Sequence, residues 1–183
     1  SYFEIIPDKP TEMDIEAYVN QVFERHALYD RKAKRIQRNF IKFEIQRLKK
    51  WRKYKPDFVE QKIEASLFGD LILVGIIDFY CNGIVIDWKT GRYFQICDEV
   101  IRQGKAYELL LKSVGLKVDK ILFVNLRSGL VMPLPKITDG WFKRQVERMA
   151  SFIKRNHFPA CKGFQCERCP YILRCEFDGW CLW

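Results

Sequence analysis

Stretches in which apolar residues recur every three or four positions alternate with stretches in which they recur every second position or run unbroken, a pattern that predicts an α/β fold. Thr11 with Asp14 three residues later reads as a helix start, and Ile15, Val19, Val22 and Phe23 share one helical face, so a helix is expected from about 12 to 28. Ile36, Phe40 and Phe43, with the neighbouring Ile41, Ile45 and Leu48, form the apolar stripe of a second helix over 31–53, which Pro56 closes. From 58 to 80 the pattern turns to strands, and the run Leu71-Ile72-Leu73-Val74-Gly75-Ile76-Ile77 reads as a strand covered on both faces. Asn82-Gly83 marks a two-residue hairpin, because both central positions of a type I′ turn need positive φ, and 84–89 is the returning strand. Val100, Ile101, Ala106 and Leu109 to Leu111 predict a third helix over 98–114, closed by Gly115. Residues 120–126 and 130–135 read as a second strand pair, with Pro133 near a sheet edge, and Thr138 caps a last helix to about 156.

With Asn82 and Gly83 as the loop, Cys81 faces Ile84, Tyr80 faces Val85, and Asp78 faces Asp87. Paired side chains lie on one face with Cβ atoms about 4.5–5.5 Å apart, where like charges repel unless something compensates them. Lys89 projects to the same face as Asp87, while Trp88 points away and leaves its carbonyl at the strand edge. In isolation such residues form a surface ion pair and a turn cap. Here the acids interrupt apolar runs, where an unpaired charge is costly. A hard divalent cation, Mg²⁺ or Mn²⁺, compensates two such carboxylates, binds phosphoryl oxygen and lowers the pKa of a water. The lysine is placed to orient that water or to neutralise a developing anion.

Charge narrows the class of partner. The chain carries +9 over 183 residues, yet 31–55 alone holds twelve Lys or Arg and a single acid, Glu44, so the basicity belongs to one segment. Such a helix suits phosphate contacts that do not read sequence, with Arg47, Lys49, Lys50 and Arg52 as the expected DNA-binding cations and Phe40, Trp51 and Tyr54 as base-stacking candidates. The alternative is a solvated charged face. No apolar run of membrane-spanning length and no charged-then-apolar N-terminus occurs, which predicts an intracellular protein with no membrane partner.

Five of the seven cysteines fall in the last 23 residues, and Cys161, Cys166, Cys169 and Cys175 give the spacing C-x4-C-x2-C-x5-C. Clustering of this kind favours metal over disulfides where no secretion signal is present, and four thiolates suit tetrahedral zinc or an iron–sulfur cluster alike. Two domains are expected, a helical region plus core over 1–157 and a Cys-rich metal-binding segment over 158–183 packed on it.

Three strings together resemble a known family. Gly75-Ile76-Ile77-Asp78, Asp87-Trp88-Lys89-Thr90-Gly91 and Gln103-Gly104-Lys105-Ala106-Tyr107 are similar, in order, to the Gly-x-x-Asp, Asp-x-Lys-Thr-Gly and Gln-x-x-x-Tyr motifs of RecB-like PD-(D/E)xK nucleases. That branch includes the iron–sulfur exonucleases associated with CRISPR adaptation and their archaeal and viral relatives. The resemblance implies a restriction-endonuclease-like core, a mixed central sheet flanked by helices. It also implies a metal held by Asp78, Asp87 and the Trp88 carbonyl, and Lys89 as the catalytic lysine. Gln103 and Tyr107 then lie beside both the catalytic site and the nucleic-acid strand. Family members add a histidine, or in relatives a glutamate, from a preceding helix; His26 is the expectation here, with Glu44, Glu60 and Glu64 as alternatives. Iron–sulfur members carry a C-terminal C-x2-C-x5-C like Cys166, Cys169 and Cys175, which favours a four-iron cluster over zinc or a two-iron cluster. Cys161 is the expected fourth ligand, ahead of Cys181, Cys81 and Cys97.

The function expected is hydrolysis of DNA phosphodiesters by a metal-dependent exonuclease on single-stranded or frayed ends. Protein partners are expected in DNA repair, recombination or CRISPR adaptation. The competing expectations are a DNA-binding or adaptor subunit with a weak nuclease site, and a zinc-ribbon interaction module in which Asp78 and Asp87 lie far apart.

Overall fold

Five strands form one mixed sheet in sequence order: β1 (Phe58–Phe68), β2 (Leu71–Cys81), β3 (Ile84–Lys89), β4 (Lys120–Asn125) and β5 (Leu130–Pro133). All neighbours are antiparallel except β3 and β4, which run parallel and are joined by the crossover helix α4 (Asp98–Ser113). The computed structural model describes residues 2–69, 71–92 and 94–157, with Cys166, Cys169 and Pro170. Three helices precede the sheet, α1 (Tyr2–Ile5), α2 (Glu12–Arg25) and α3 (Arg31–Lys50), and α5 (Asp139–Lys154) follows it. The chain divides into two compact units, Ser1–Phe142 and Lys143–Trp183, and the break falls within α5. Among the described residues no helix is long and apolar enough to cross a membrane.

Local chemistry explains most boundaries. Thr11 and Asp14 form a reciprocal capping box, Thr11 N–H donating to Asp14 Oδ2 at 2.7 Å and Asp14 N–H to Thr11 Oγ1 at 3.2 Å. The helix begun there ends at Arg25, short of the expected 28, because Ala27 adopts φ 51° and Leu28 N–H turns back to Phe23 O. Asp30 caps α3 by accepting from Ala33 N–H, and extended backbone at Trp51 ends it three residues before the expected stop. Asn82 and Gly83 take φ 46° and 84°, the left-handed pair a type I′ turn needs.

The two sheet faces bury different sets. Val85, Tyr80, Ile121 and Phe123 pack with Leu110, Leu111 and Tyr107 on the α4 side. Ile86, Cys81, Phe79 and Val124 pack with Ile36, Phe40, Phe43 and Trp88 on the α3 side. Strand β2 departs from its expected cover: Ile72, Val74 and Ile76 are 65%, 50% and 55% exposed. The apolar cluster under α3 reaches only the end of β2 at Phe79 and Cys81, so the distal half of the β1–β2 hairpin is covered on the α4 side alone. Strand β5 lies at the sheet edge, where Pro133 pairs with Leu122 without a ladder N–H.

α3 is tied to the N-terminal segment by a buried polar cluster. Glu44 is fully buried and accepts from Arg47 Nε (3.0 Å), Arg47 Nη2 (2.7 Å) and Tyr54 OH (2.6 Å), while Arg47 also donates to Tyr54 O. The Arg47 guanidinium lies 4.0 Å from the Tyr54 ring centroid, and Tyr54 OH meets Tyr2 OH at 2.5 Å. Arg47 is therefore not a DNA-facing cation: its charge is matched inside the protein, at 2% exposure. The expected base-stackers Tyr54 and Phe40 are likewise engaged, Tyr54 buried in this cluster and Phe40 edge-on to Tyr2 and Trp88.

Candidate active site

Asp87 and Lys89 stand on β3 facing α4, and the second and third turns of α4 meet them with Gln103 and Tyr107, four residues apart and so on one helical face. Lys89 Nζ donates to Gln103 Oε1 at 2.8 Å. Gln103 Nε2 donates to Asp87 Oδ1 at 2.9 Å and to Tyr107 OH at 2.8 Å, and Tyr107 OH reaches the same Oδ1 at 3.2 Å. The amide thus bridges acid, lysine and phenol. Burial, followed by the charge of Asp87, pushes the Tyr107 hydroxyl well above the ordinary tyrosine pKa and keeps it a proton donor.

Asp87 is 2% exposed, and its second oxygen is the informative one. Lys89 Nζ lies 2.7 Å from Oδ2, an ion-pair contact without hydrogen-bond geometry. Oδ2 is the one buried side-chain polar atom among the described residues that has no hydrogen bond. A hard cation is the ligand such an orphaned carboxylate oxygen accepts best.

Asp78 sits where the hairpin ladder ends. The β2–β3 pairing runs from Cys81↔Ile84 to Phe79↔Ile86 and stops, so Asp78 and Asp87 are not the ladder pair expected from the turn register. The reason lies on the other side of β2. Gly75 and Ile77 pack toward α4, but Phe79 and Cys81 pack toward α3, so the two-residue alternation breaks at Asp78. On β1 the flanking pairs Val59↔Phe79 and Gln61↔Ile77 bracket Glu60, which is held at φ 50°. The Asp78 carboxylate takes the position of a ladder acceptor, with Trp88 N–H donating to Oδ2 at 3.0 Å. Burial chiefly, and Asp87 in addition, raise the Asp78 pKa above the usual carboxylate value. The Trp88 side chain points to the opposite face, 5.3 Å from both Phe40 and Phe43.

The remaining expected ligands do not join these acids. His26 is exposed at the C-cap of α2, its N–H turned back to Val22 and Glu24 carbonyls, because the helix stops before it. Glu44 is enclosed by Arg47 and Tyr54, Glu64 pairs with Lys62 on an exposed strand face, and Glu60 is exposed on the kinked strand. Among the described residues no set of three His, Cys, Asp or Glu groups could hold a metal. The carboxylates of Asp78 and Asp87, with the carbonyl of Trp88 next to Asp87 in sequence, are what the fold offers. In the tail, Cys166 and Cys169 are joined by Cys169 N–H to Cys166 O at 3.2 Å, while Cys161, Cys175 and Cys181 lie outside the described residues. Cys81 is buried and Cys97 is exposed at the start of α4.

Two further residues support the site: Asn125, which sequence reasoning missed, and Gly75, which opens the Gly-x-x-Asp string. Asn125, the Cα partner of Lys89, is fully buried; it donates to Gly91 O at 3.1 Å and accepts from Arg127 N, Ser128 N and Ser128 Oγ. It ties the chain leaving Lys89 to the β4–β5 turn, and a lone Asn ending an apolar run was the only trace of this. Gly75 lets β2 approach α4: a Cβ there would stand 2.6 Å from Leu110 Cδ1 and 3.6 Å from the Tyr107 ring.

The family model of the PD-(D/E)XK nuclease superfamily matches residues 2–176. No curated protein matches the chain.

Proposed function

The chain belongs to the PD-(D/E)XK nuclease superfamily, and from that premise we propose that it is a metal-dependent DNA exonuclease acting on single-stranded or frayed ends. The observation that carries the reading is the buried, unbonded Oδ2 of Asp87 beside Asp78 and Lys89. The donor set, two carboxylates and the Trp88 carbonyl, is all oxygen and suits Mg²⁺ or Mn²⁺, with water and substrate completing the shell. Such an ion, when bound, supplies Lewis acidity toward a phosphoryl oxygen and a lowered pKa for a water. The protein's own part is orientation. Gln103 and Tyr107 hold Asp87 Oδ1 and leave Oδ2 with the Lys89 ion pair as its one contact, and Trp88 N–H fixes Asp78. Lys89, steadied by Gln103, places a cation where negative charge develops on the scissile phosphate.

Labelled single-stranded DNA incubated with Mg²⁺ or Mn²⁺ tests the reading. Cleavage is expected to stop with chelator, return with metal, and fall by about 10²-fold or more in Asp87→Ala and Lys89→Ala while DNA binding persists. Cleavage that survives both substitutions removes the active site from this place. A DNA-binding subunit with a silent site predicts binding without cleavage in the unaltered chain.

For the cysteine tail the proposal is a [4Fe–4S] cluster on Cys161, Cys166, Cys169 and Cys175, clamping the C-terminal segment, since binding energy at such sites is folding energy. The C-x4-C-x2-C-x5-C spacing supports it. Anaerobic purification is expected to give a brown protein; a colourless one with stoichiometric zinc replaces iron with zinc.

A further inference from the structure

The cations of the basic segment 31–55 are not equivalent in the folded chain. Arg47 is buried against Glu44, Lys49 pairs with Glu12 at 2.8 Å, Lys53 with Asp57, and Lys55 with Asp8 at 3.1 Å. Lys32, Arg35, Lys42 and Lys50 are exposed and have no carboxylate within ion-pair distance among the described residues. With Asn39 and Gln46 they recur at steps of three and four along the helix, which puts all six on one face about 27 Å long.

Asn39 locates that face. Its Nδ2 donates to Leu126 O at 2.8 Å and Arg127 O at 3.3 Å, in the turn that follows β4. The same turn is anchored by Asn125 to Gly91 O, just past Lys89, and Leu126 N–H donates to Lys89 O at 2.8 Å. The polar face of α3 therefore runs past the end of the sheet at which β3 delivers Asp87 and Lys89, and partly buried Arg127 in the turn extends it. Between Arg35 and Lys42 the helix rises about 10 Å, a length that spans about three phosphates at the ~3.4 Å rise of a stacked strand and fewer in an extended one.

We propose that Lys32, Arg35, Lys42 and Lys50 of α3, joined by Arg127 of the β4–β5 turn, form a phosphate-backbone track that holds the nucleic-acid strand as it enters the site at Asp87 and Lys89. The proposal rests on the nuclease reading for its direction but not for its binding. The occupant is a polyanionic strand, because the face alternates cations with amides and carries no apolar anchor for a protein partner. Its amides, Asn39 and Gln46, read no base sequence from a helix lying along phosphates.

The test is anisotropy of a labelled single-stranded oligonucleotide with the full chain in chelator, across a salt series. Arg35→Gln with Lys42→Gln is expected to weaken binding about tenfold and to lower the slope of log affinity against log salt by about 1.4, near 0.7 per charge. Arg127→Gln, on a different element, is expected to remove a further ~0.7. Lys53→Gln, whose charge Asp57 already matches, is expected to change neither quantity. Unchanged affinity and slope in the first two variants overturn the track, as does undetectable binding by the unaltered chain. An equal effect from Lys53→Gln reduces it to diffuse charge and overturns it too. Loss of the nuclease reading would show separately, as absence of metal-dependent cleavage with this binding pattern intact.

Discussion

At the residue scale the site depends on Gln103 more than its neutral side chain suggests. One amide donates to Asp87 and Tyr107 and accepts from Lys89, so removing it releases three groups at once. Gln103→Ala is expected to cost about 1.5–3 kcal/mol in activation free energy, roughly 10- to 100-fold in cleavage, as for hydrogen bonds to charged groups. Tyr107→Phe removes one 3.2 Å contact and leaves Gln103 in place, so its loss is expected to be about tenfold or less. Steady-state cleavage of one oligonucleotide by both variants ranks them; the reverse order would mean that the phenol, not the amide, organises Asp87. Arg47 shows the same logic for stability. Arg47→Met leaves Glu44 charged and buried with only Tyr54 as donor, and the expected cost is about 3–5 kcal/mol in urea unfolding.

At the element scale, the contact of β2 with α4 bears on how far Asp78 stands from Gln103 and Tyr107. Gly75 is what allows it, since an added methyl meets Leu110 Cδ1 at 2.6 Å in a fully buried cluster. Gly75→Ala is expected to destabilise by about 1–3 kcal/mol through overpacking, with part of the loss recovered on adding Leu110→Val. Thermal unfolding of the single and double variants measures this; no recovery would show that backbone freedom, not space, selects glycine. The break in alternation at Asp78 is the other element-level device. It turns one carboxylate out of the ladder so that Trp88 N–H can hold it, and Glu60 accommodates the bend at positive φ.

Across unit Ser1–Phe142, acid stability draws on one buried cation. Burial works against the charge of Lys105, yet Asp139 and Glu108 outweigh it and raise its pKa. Burial likewise raises Glu108, but Lys105 and Lys112 bring it below its ordinary value, and Lys105 holds Asp139 down in the same way. Carboxylates depressed in the folded state contribute fully above their unfolded pKa of about 4 and lose that contribution as pH falls through the folded values. Lys105, with a raised pKa, contributes fully below about pH 10 and fades only as pH rises through its folded value. Urea midpoints are therefore expected to drop in acid below about pH 4, and Lys105→Met to flatten that drop. An acid limb of the same steepness in the variant would place the linkage elsewhere.

Local patterning was enough to place three helices, expected over 12–28, 31–53 and 98–114 and found with somewhat earlier ends, along with the strand segments and the Asn82-Gly83 turn, and to single out the two carboxylates with their lysine as candidates. Those features follow from periodicity and from residues whose φ preferences act within a few positions. Which side of β2 each residue serves, whether Asp78 pairs with Asp87, and which cation of α3 is paired depended on partners distant in sequence. Arg47 and Lys50 lie in one basic run, but the fold brings Glu44 and Tyr54 around the first and leaves the second exposed. Asn125 gained its role only because a parallel crossover set it beside Lys89. Composition specifies a charge or a carboxylate; only packing decides whether neighbours satisfy it fully, as for Arg47, or leave it buried without a hydrogen bond, as at Asp87 Oδ2 beside Lys89.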